Sequence, residues 1–198
     1  ADWRRLLYLA HVNKRRAFVE FTDFYLRSSG QLYWNDTHQL NIYLDDYHGP
    51  LDAHLGAKMP GTEMITELYL PREHLTSFMS TVREDFLRHR VDFIYGTIRL
   101  IEKDEDAFLA WARDDYACVI FNLHVDHHAD GLARARTDFQ RLIDRAIEFD
   151  GSYFLTYHRY ARRDQLLRCY PQMPEFLRRK RAFDPEQRFS SDWHRHQV

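Results

Sequence analysis

The chain has 198 residues, enough for one domain with a substantial core, and its 44% hydrophobic and 29% charged content suits a soluble globular protein. A formal net charge of −2 supplies no global field to recruit nucleic acid, and no apolar run approaches the roughly 20 residues needed to span a bilayer. Only 7 glycines are present, with no G-x-G-x-x-G or P-loop pattern, so a nucleotide-type cofactor would have to be held mostly from outside this chain. Nothing resembles a signal peptide, and Cys118 and Cys169 lack C-x-x-C spacing, as expected of reduced packing residues in a cytoplasmic protein.

Asp2 is placed to cap a helix whose apolar residues Leu6, Leu7, Leu9, Val12, Phe18, Val19, Phe21 and Phe24 recur at mostly helical spacing, ending near Gly30. Residues 31–46 read as extended, with a hairpin around Asn35 and Asp36, and a looped stretch with a short turn over 51–55 follows. Residues 1–61 are thus expected to be an N-terminal helix and extended segment of the same domain as 62–198. Residues 62–70 predict a strand, stopped by Pro71 in the first turn of a helix that carries Leu75, Phe78, Met79, Val82 and Phe86 on one face. A second strand over 91–101 precedes a short helix capped by Asp104, with Phe108, Leu109 and Trp111 on it. A third strand covers 116–125. The next helix, opening at Asp130 or Gly131, turns Leu132, Ala135, Phe139, Leu142, Ile143 and Ala146 inward before a fourth strand over 152–158. This order predicts an α+β fold: a ferredoxin-like antiparallel sheet with helices on one face, plus N-terminal and C-terminal helical extensions. The C-terminal helix is expected from about 161 to 181, interrupted at Pro171 and Pro174, with an exposed tail at 193–196.

Side chains alternate along a strand, so each strand sorts into two faces. In the first, Ile65, Glu67 and Tyr69 oppose Met64, Thr66, Leu68 and Leu70; in the second, Tyr95, Thr97 and Arg99 oppose Ile94, Ile98 and Leu100. In the third, Ile120, Asn122 and His124 oppose Val119, Phe121, Leu123 and Val125. One face is therefore apolar, to receive the helices. The other carries a few charges among aromatics, as a binding wall does. The plainer alternative is a cross-strand ion pair between Glu67 and Arg99 on a solvated face. In the fourth strand either Tyr153, Leu155 and Tyr157 or Phe154, Thr156 and His158 face the polar side; periodicity leaves both open.

Two further patterns carry less. His124, Asp126, His127 and His128 cluster at a strand end, but their spacing is not that of a zinc motif, so no metal is expected and a metal enzyme using His124, His127 and His128 ranks third among the readings. The arginines between Arg159 and Arg181 interleave with Leu166, Leu167, Tyr170, Phe176 and Leu177 and read as the wet face of a packed helix, with no nucleic-acid partner. There is no G-x-S-x-G elbow and no sequence-adjacent activator for either cysteine.

Four segments in order carry a resemblance: E-M-I-T-E-L-Y-L-P-R-E at 63–73, I-Y-G-T-I-R at 94–99, G-S-Y-F-L-T-Y-H at 151–158, and F-L-R-R-K-R-A-F-D-P-E-Q-R-F at 176–189. Together they resemble the C-terminal half of FAD-linked oxidases of the vanillyl-alcohol-oxidase type, near the aldonolactone and alditol oxidases, over about residues 62–193. The resemblance implies the substrate domain of a two-domain enzyme, with FAD held mainly by an N-terminal domain of the same protein that has no counterpart here. It implies oxidation of a CH–OH-type small-molecule substrate by hydride transfer to flavin. Carried over by position, Glu67 matches the acidic residue of the first motif and Arg99 the arginine of the second. Tyr157 stands where many relatives have a lysine, which leaves Tyr157 or His158 to handle the proton. The expected catalytic set is Glu67, Arg99, Tyr157 and His158, with Tyr95, Thr97, Asn122 and His124 binding substrate. A stand-alone ferredoxin-like ligand-binding or interaction module is the alternative, and the sheet face would also allow a homodimer.

Overall fold

The computed structural model describes residues 2–32 and 48–197, so the hairpin expected around Asn35 and Asp36 lies outside the described residues. Helices are α1 (Asp2–Val12), α2 (Lys14–Arg27), α3 (His48–Leu55), α4 (Leu75–His89), α5 (Ala129–Glu148), α6 (Arg163–Cys169), α7 (Met173–Phe183) and α8 (Asp192–Gln197). Strands β1 (Gly61–Pro71), β2 (Phe93–Ile101), β3 (Tyr116–Asp126) and β4 (Ser152–Tyr153) form one antiparallel sheet in the order β2-β3-β1-β4. The central pair runs in continuous register from Gly61 opposite Asp126 to Pro71 opposite Tyr116. With α4 and α5 on one face, this is the ferredoxin-like α+β arrangement.

Alternation explains which face the helices take. Leu68, Leu70, Val119, Phe121, Leu123 and Val125 all point to one side, where they pack with Phe78 and Val82 of α4 and Ala135, Phe139, Leu142 and Ile143 of α5. Phe78, Phe139 and Ile143 have no exposed surface, and each such burial contributes about 1.5–3 kcal/mol against an exposed reference. Arg141 locks the two helices together: its guanidinium donates to Asp85 of α4 at 3.1 Å and pairs with Asp138 at 2.8 Å. Burial raises the Asp138 carboxyl above its usual range despite that partner.

Several local expectations change. The N-terminal helix is two helices, because the Asn13 side chain accepts from the Arg16 amide at 3.1 Å and starts α2 afresh. Of the apolar residues at helical spacing, Phe18 and Val19 are exposed. The turn over 51–55 is the helix α3, which begins at His48. Pro71 still pairs in β1 and precedes a short 3₁₀ turn over Arg72–His74, so α4 opens at Leu75. No helix forms after Asp104. That carboxylate accepts from the amides of Asp106 and Ala107, but the Asp104 amide donates to Ala112 O at 2.8 Å and closes a loop instead. The loop lays Trp111 against Tyr69, ring centroids 4.8 Å apart.

A bulge between Phe93 and Tyr95 removes Ile94 from the row of Ile98 and Leu100, and Ile94 packs with Leu9, Ala10 and Ala17 of α1 and α2. The second sheet face is therefore covered at one end by the N-terminal helices. At the other end Tyr69, Ala112, Tyr116, Cys118 and Ile120 form a smaller apolar cluster with Trp111 and Phe154.

The fourth strand stops at Tyr153, much shorter than expected, and the chain turns over the next residues. Gly151 is required at its entrance, since a Cβ there would meet Tyr69 O at 2.2 Å. Beyond it, the C-terminal tail is packed. Asp184 accepts from the amides of Arg188 and Phe189 at 2.8 and 3.0 Å, which turns the chain back. Trp193 then donates to Leu155 O at 2.9 Å, and His194 is buried. The arginine-rich segment is laced with carboxylates, Arg162 on Asp144 and Arg178 and Arg179 on Glu175.

Candidate functional site

Glu67 lies at the centre of the sheet face away from α4 and α5, and it is only 8% exposed. Its Oε1 accepts from the Tyr69 hydroxyl at 3.0 Å and the Cys118 thiol at 2.9 Å, and the Tyr157 hydroxyl lies near enough for the carboxyl to act on it. The strand register produces this. Tyr69 is two residues along β1 on the same side, and it stands directly opposite Cys118 of β3. Arg99 of β2 stands opposite Cys118 from the other edge, so the charge of Arg99 reaches both the thiol and Tyr157.

Burial, then the Glu67 charge, pushes the Tyr69 hydroxyl up, and burial with the hydrogen bond to Glu67 does the same for the Cys118 thiol. Both therefore stay protonated and act as donors. Cys118 is not a thiolate nucleophile. The Tyr157 hydroxyl is also raised, by burial first and Glu67 second, with Arg99 opposing. Unlike the other two it is 47% exposed. Tyr157 is thus the member of the cluster that can touch a ligand and a buried carboxyl at once.

The chain reaches this place by a change of parity after Tyr153. Phe154 and Tyr157 share the Glu67 side, with ring centroids 4.8 Å apart, while Tyr153 and Leu155 belong to the helix-side core. Neither alternating set foreseen for a long fourth strand applies, because the turn over 155–157 breaks the two-residue period.

The expected residues fall in four places. Glu67, Arg99 and Tyr157 come together, with Thr97 exposed beside them opposite Ile120. Tyr95 and Asn122 pair with each other further along the same face. Asn122 is buried, and its Oδ1 has no partner among the described residues. His158 is on the opposite side of the sheet: its Nε2 lies 3.3 Å from the Thr66 hydroxyl, and its ring packs on Phe139 of α5 at 4.4 Å. It is a buried packing histidine, and burial holds its pKa at about 4. His124 points to Glu63, near the N-terminal helices, 3.2 Å away. The foreseen ion pair between Glu67 and Arg99 is not formed, because β3 lies between their strands.

Tyr69, Cys118 and Glu63 were not among the expected site residues, although Tyr69 and Cys118 lie two residues from Glu67 and Ile120, and Glu63 four from Glu67, spacings that place all three on this face. His127 and His128 do not join His124: His127 meets the Thr62 hydroxyl at 2.9 Å, and His128 sits at the start of α5.

Comparison with protein-family models and with curated proteins returned no match, so the reading of this site stands on its geometry and on the sequence motifs.

Proposed function

We propose that the chain is the substrate-binding domain of an FAD-dependent oxidoreductase acting on a CH–OH-type substrate, with the cofactor held mainly by an FAD-binding domain of the same protein. The observation that carries this reading is the Glu67, Tyr157 and Arg99 constellation at the aromatic end of the sheet face, away from the N-terminal helices. The donor set fits the redox end of a flavin and its substrate: a buried carboxyl, a half-exposed phenol and a guanidinium. It does not fit the pyrophosphate, since the face offers no glycine loop to cradle phosphate. FAD, when bound, would accept hydride from the substrate carbon.

The chain's own residues handle position and protons. The Tyr157 hydroxyl meets the substrate hydroxyl and takes its proton as it passes its own to Glu67 behind it. Arg99 places positive charge beside both groups and holds a substrate oxygen. Thr97 and Tyr95 line the approach. His158 holds the turn that presents Tyr157 and takes no proton from substrate. A reducing, cytoplasmic setting goes with this reading. It is supported by two free, buried cysteines, with burial pushing Cys169 up to about 12, and by the fact that no described helix is long and apolar enough to cross a membrane.

The test uses the full-length protein. Flavin absorbance is measured first, and anaerobic reduction of the flavin by a panel of sugar alcohols, lactones and hydroxy acids is then followed by rapid mixing. Tyr157→Phe should slow reduction by at least about 100-fold while leaving the unfolding transition in place. A full-length protein without flavin would defeat the proposal in favour of a ferredoxin-like binding module. Unchanged reduction in the variant would remove Tyr157 from the chemistry.

A further inference from the structure

At the other end of the same sheet face, under the N-terminal helices, a second set of side chains converges. The Glu63 side chain is 3% exposed, and its Oε1 lies 3.1 Å from His11 Nε2 of α1 and 3.2 Å from His124 Nδ1 of β3. Its other oxygen, Oε2, is 3.6 Å from His48 Nδ1 at the start of α3. One donor atom from each of His11, Glu63 and His124 lies within 4.8 Å of the others. Gly61 makes the space: a Cβ there would stand 2.4 Å from His124 Cε1.

We propose that His11, Glu63 and His124 form a binding site for a divalent first-row metal ion of the zinc type. Bonds of about 2.0–2.1 Å in tetrahedral geometry put donor atoms about 3.3 Å apart, close to the two spacings around Glu63 Oε1. Two imidazoles with one carboxylate is an N/O set that favours zinc and its neighbours over magnesium or calcium, which take oxygen. A separate observation also points to a metal. The outer nitrogen of His124, Nε2, lies 3.6 Å from Asp126 Oδ1, longer than a hydrogen bond but close enough for that carboxylate to orient the imidazole once the ring is drawn onto a metal. His48 neighbours the other oxygen of Glu63 and is not one of the three converging donors. The ion would bind α1 to β1 and β3 and so fix the N-terminal helices on the sheet. None of this depends on the flavin reading, since neither Glu67 nor Tyr157 is a ligand.

The full chain, freed of metal with a chelator, is titrated with Co²⁺ and then Zn²⁺. One equivalent of Co²⁺ should bind with visible absorption typical of a low-coordinate site, Zn²⁺ should displace it, and the thermal midpoint should rise with Zn²⁺. His11→Gln and His124→Gln should each weaken binding by at least about 100-fold, and Asp126→Asn by about 10-fold. No stoichiometric uptake would overturn the site, and so would full affinity in His11→Gln, which would move the ion to His127 and His128. If the glutamine variants fail to fold by circular dichroism, X-ray absorption of the zinc-loaded wild-type chain decides. Imidazole and carboxylate donors support the proposal, whereas sulfur donors or an absence of imidazole overturn it.

Discussion

His158 shows how one buried side chain sets a pH dependence. Its ring is held between Phe139 and Tyr160, and among the described residues it hydrogen-bonds the Thr66 hydroxyl and the Tyr160 amide, with no charged partner to offset burial. The folded pKa falls to about 4 from an ordinary 6.5, and the unfolded chain therefore binds the proton more readily between those values. Stability from this residue is complete above pH 6.5 and is lost as pH falls towards 4, by about 3 kcal/mol in all. His158→Gln should flatten that part of the stability-against-pH curve, measured by urea unfolding at intervals from pH 7 to 4. An equally steep curve in the variant would show that the ring is already charged or exposed. At this scale the legible residues were those whose place follows from the two-residue period, Glu67, Thr97, Arg99 and Asn122. Tyr157 and His158 were named, but their sides depended on a turn that periodicity does not reveal. His11 gave no signal, because its partner Glu63 is 52 residues away in sequence and on another element.

The ends of elements depend on small local competitions. Asn13 divides what looks like one amphipathic helix, because its side chain offers the Arg16 amide a better partner than a continuing helix would. The break lets α1 lie on β2 through Leu9 and Ala10 while α2 contributes only Ala17 to the buried set. Asn13→Ala removes this cap and should cost about 1 kcal/mol, read as a shifted denaturant midpoint with an unchanged slope. A stabilised variant would mean that the two helices are better joined. The missing helix after Asp104 reflects the same balance: a good capping residue was present, but apolar Trp111 and Ala112 gain more by packing over Tyr69. Long strands and long helices were legible because burial repeats along them. The short β4 was not, since its two residues pair with Leu68 and Tyr69 and the following turn answers to Trp193, far along the chain.

The whole molecule is one sheet with unlike faces. The face under α4 and α5 is a conventional apolar core and holds the larger buried cluster among the described residues. The other is divided between the N-terminal helices at the Glu63 end and a smaller aromatic cluster at the Glu67 end, and the exposed groups Thr97, Arg99 and Tyr157 lie beside Glu67. The ferredoxin-like layout followed from element order and face alternation, whereas the covering of the second face by α1 could not, being a contact between distant parts of the chain. We propose that this exposed corner meets substrate in a flavin enzyme, and Arg99 is the sharpest probe of it because it is exposed and its loss should barely touch folding. In the full-length protein, Arg99→Ala should slow anaerobic flavin reduction by about 100-fold with the thermal midpoint unchanged. Reduction at the wild-type rate, or a loss of rate explained entirely by unfolding, would contradict the account.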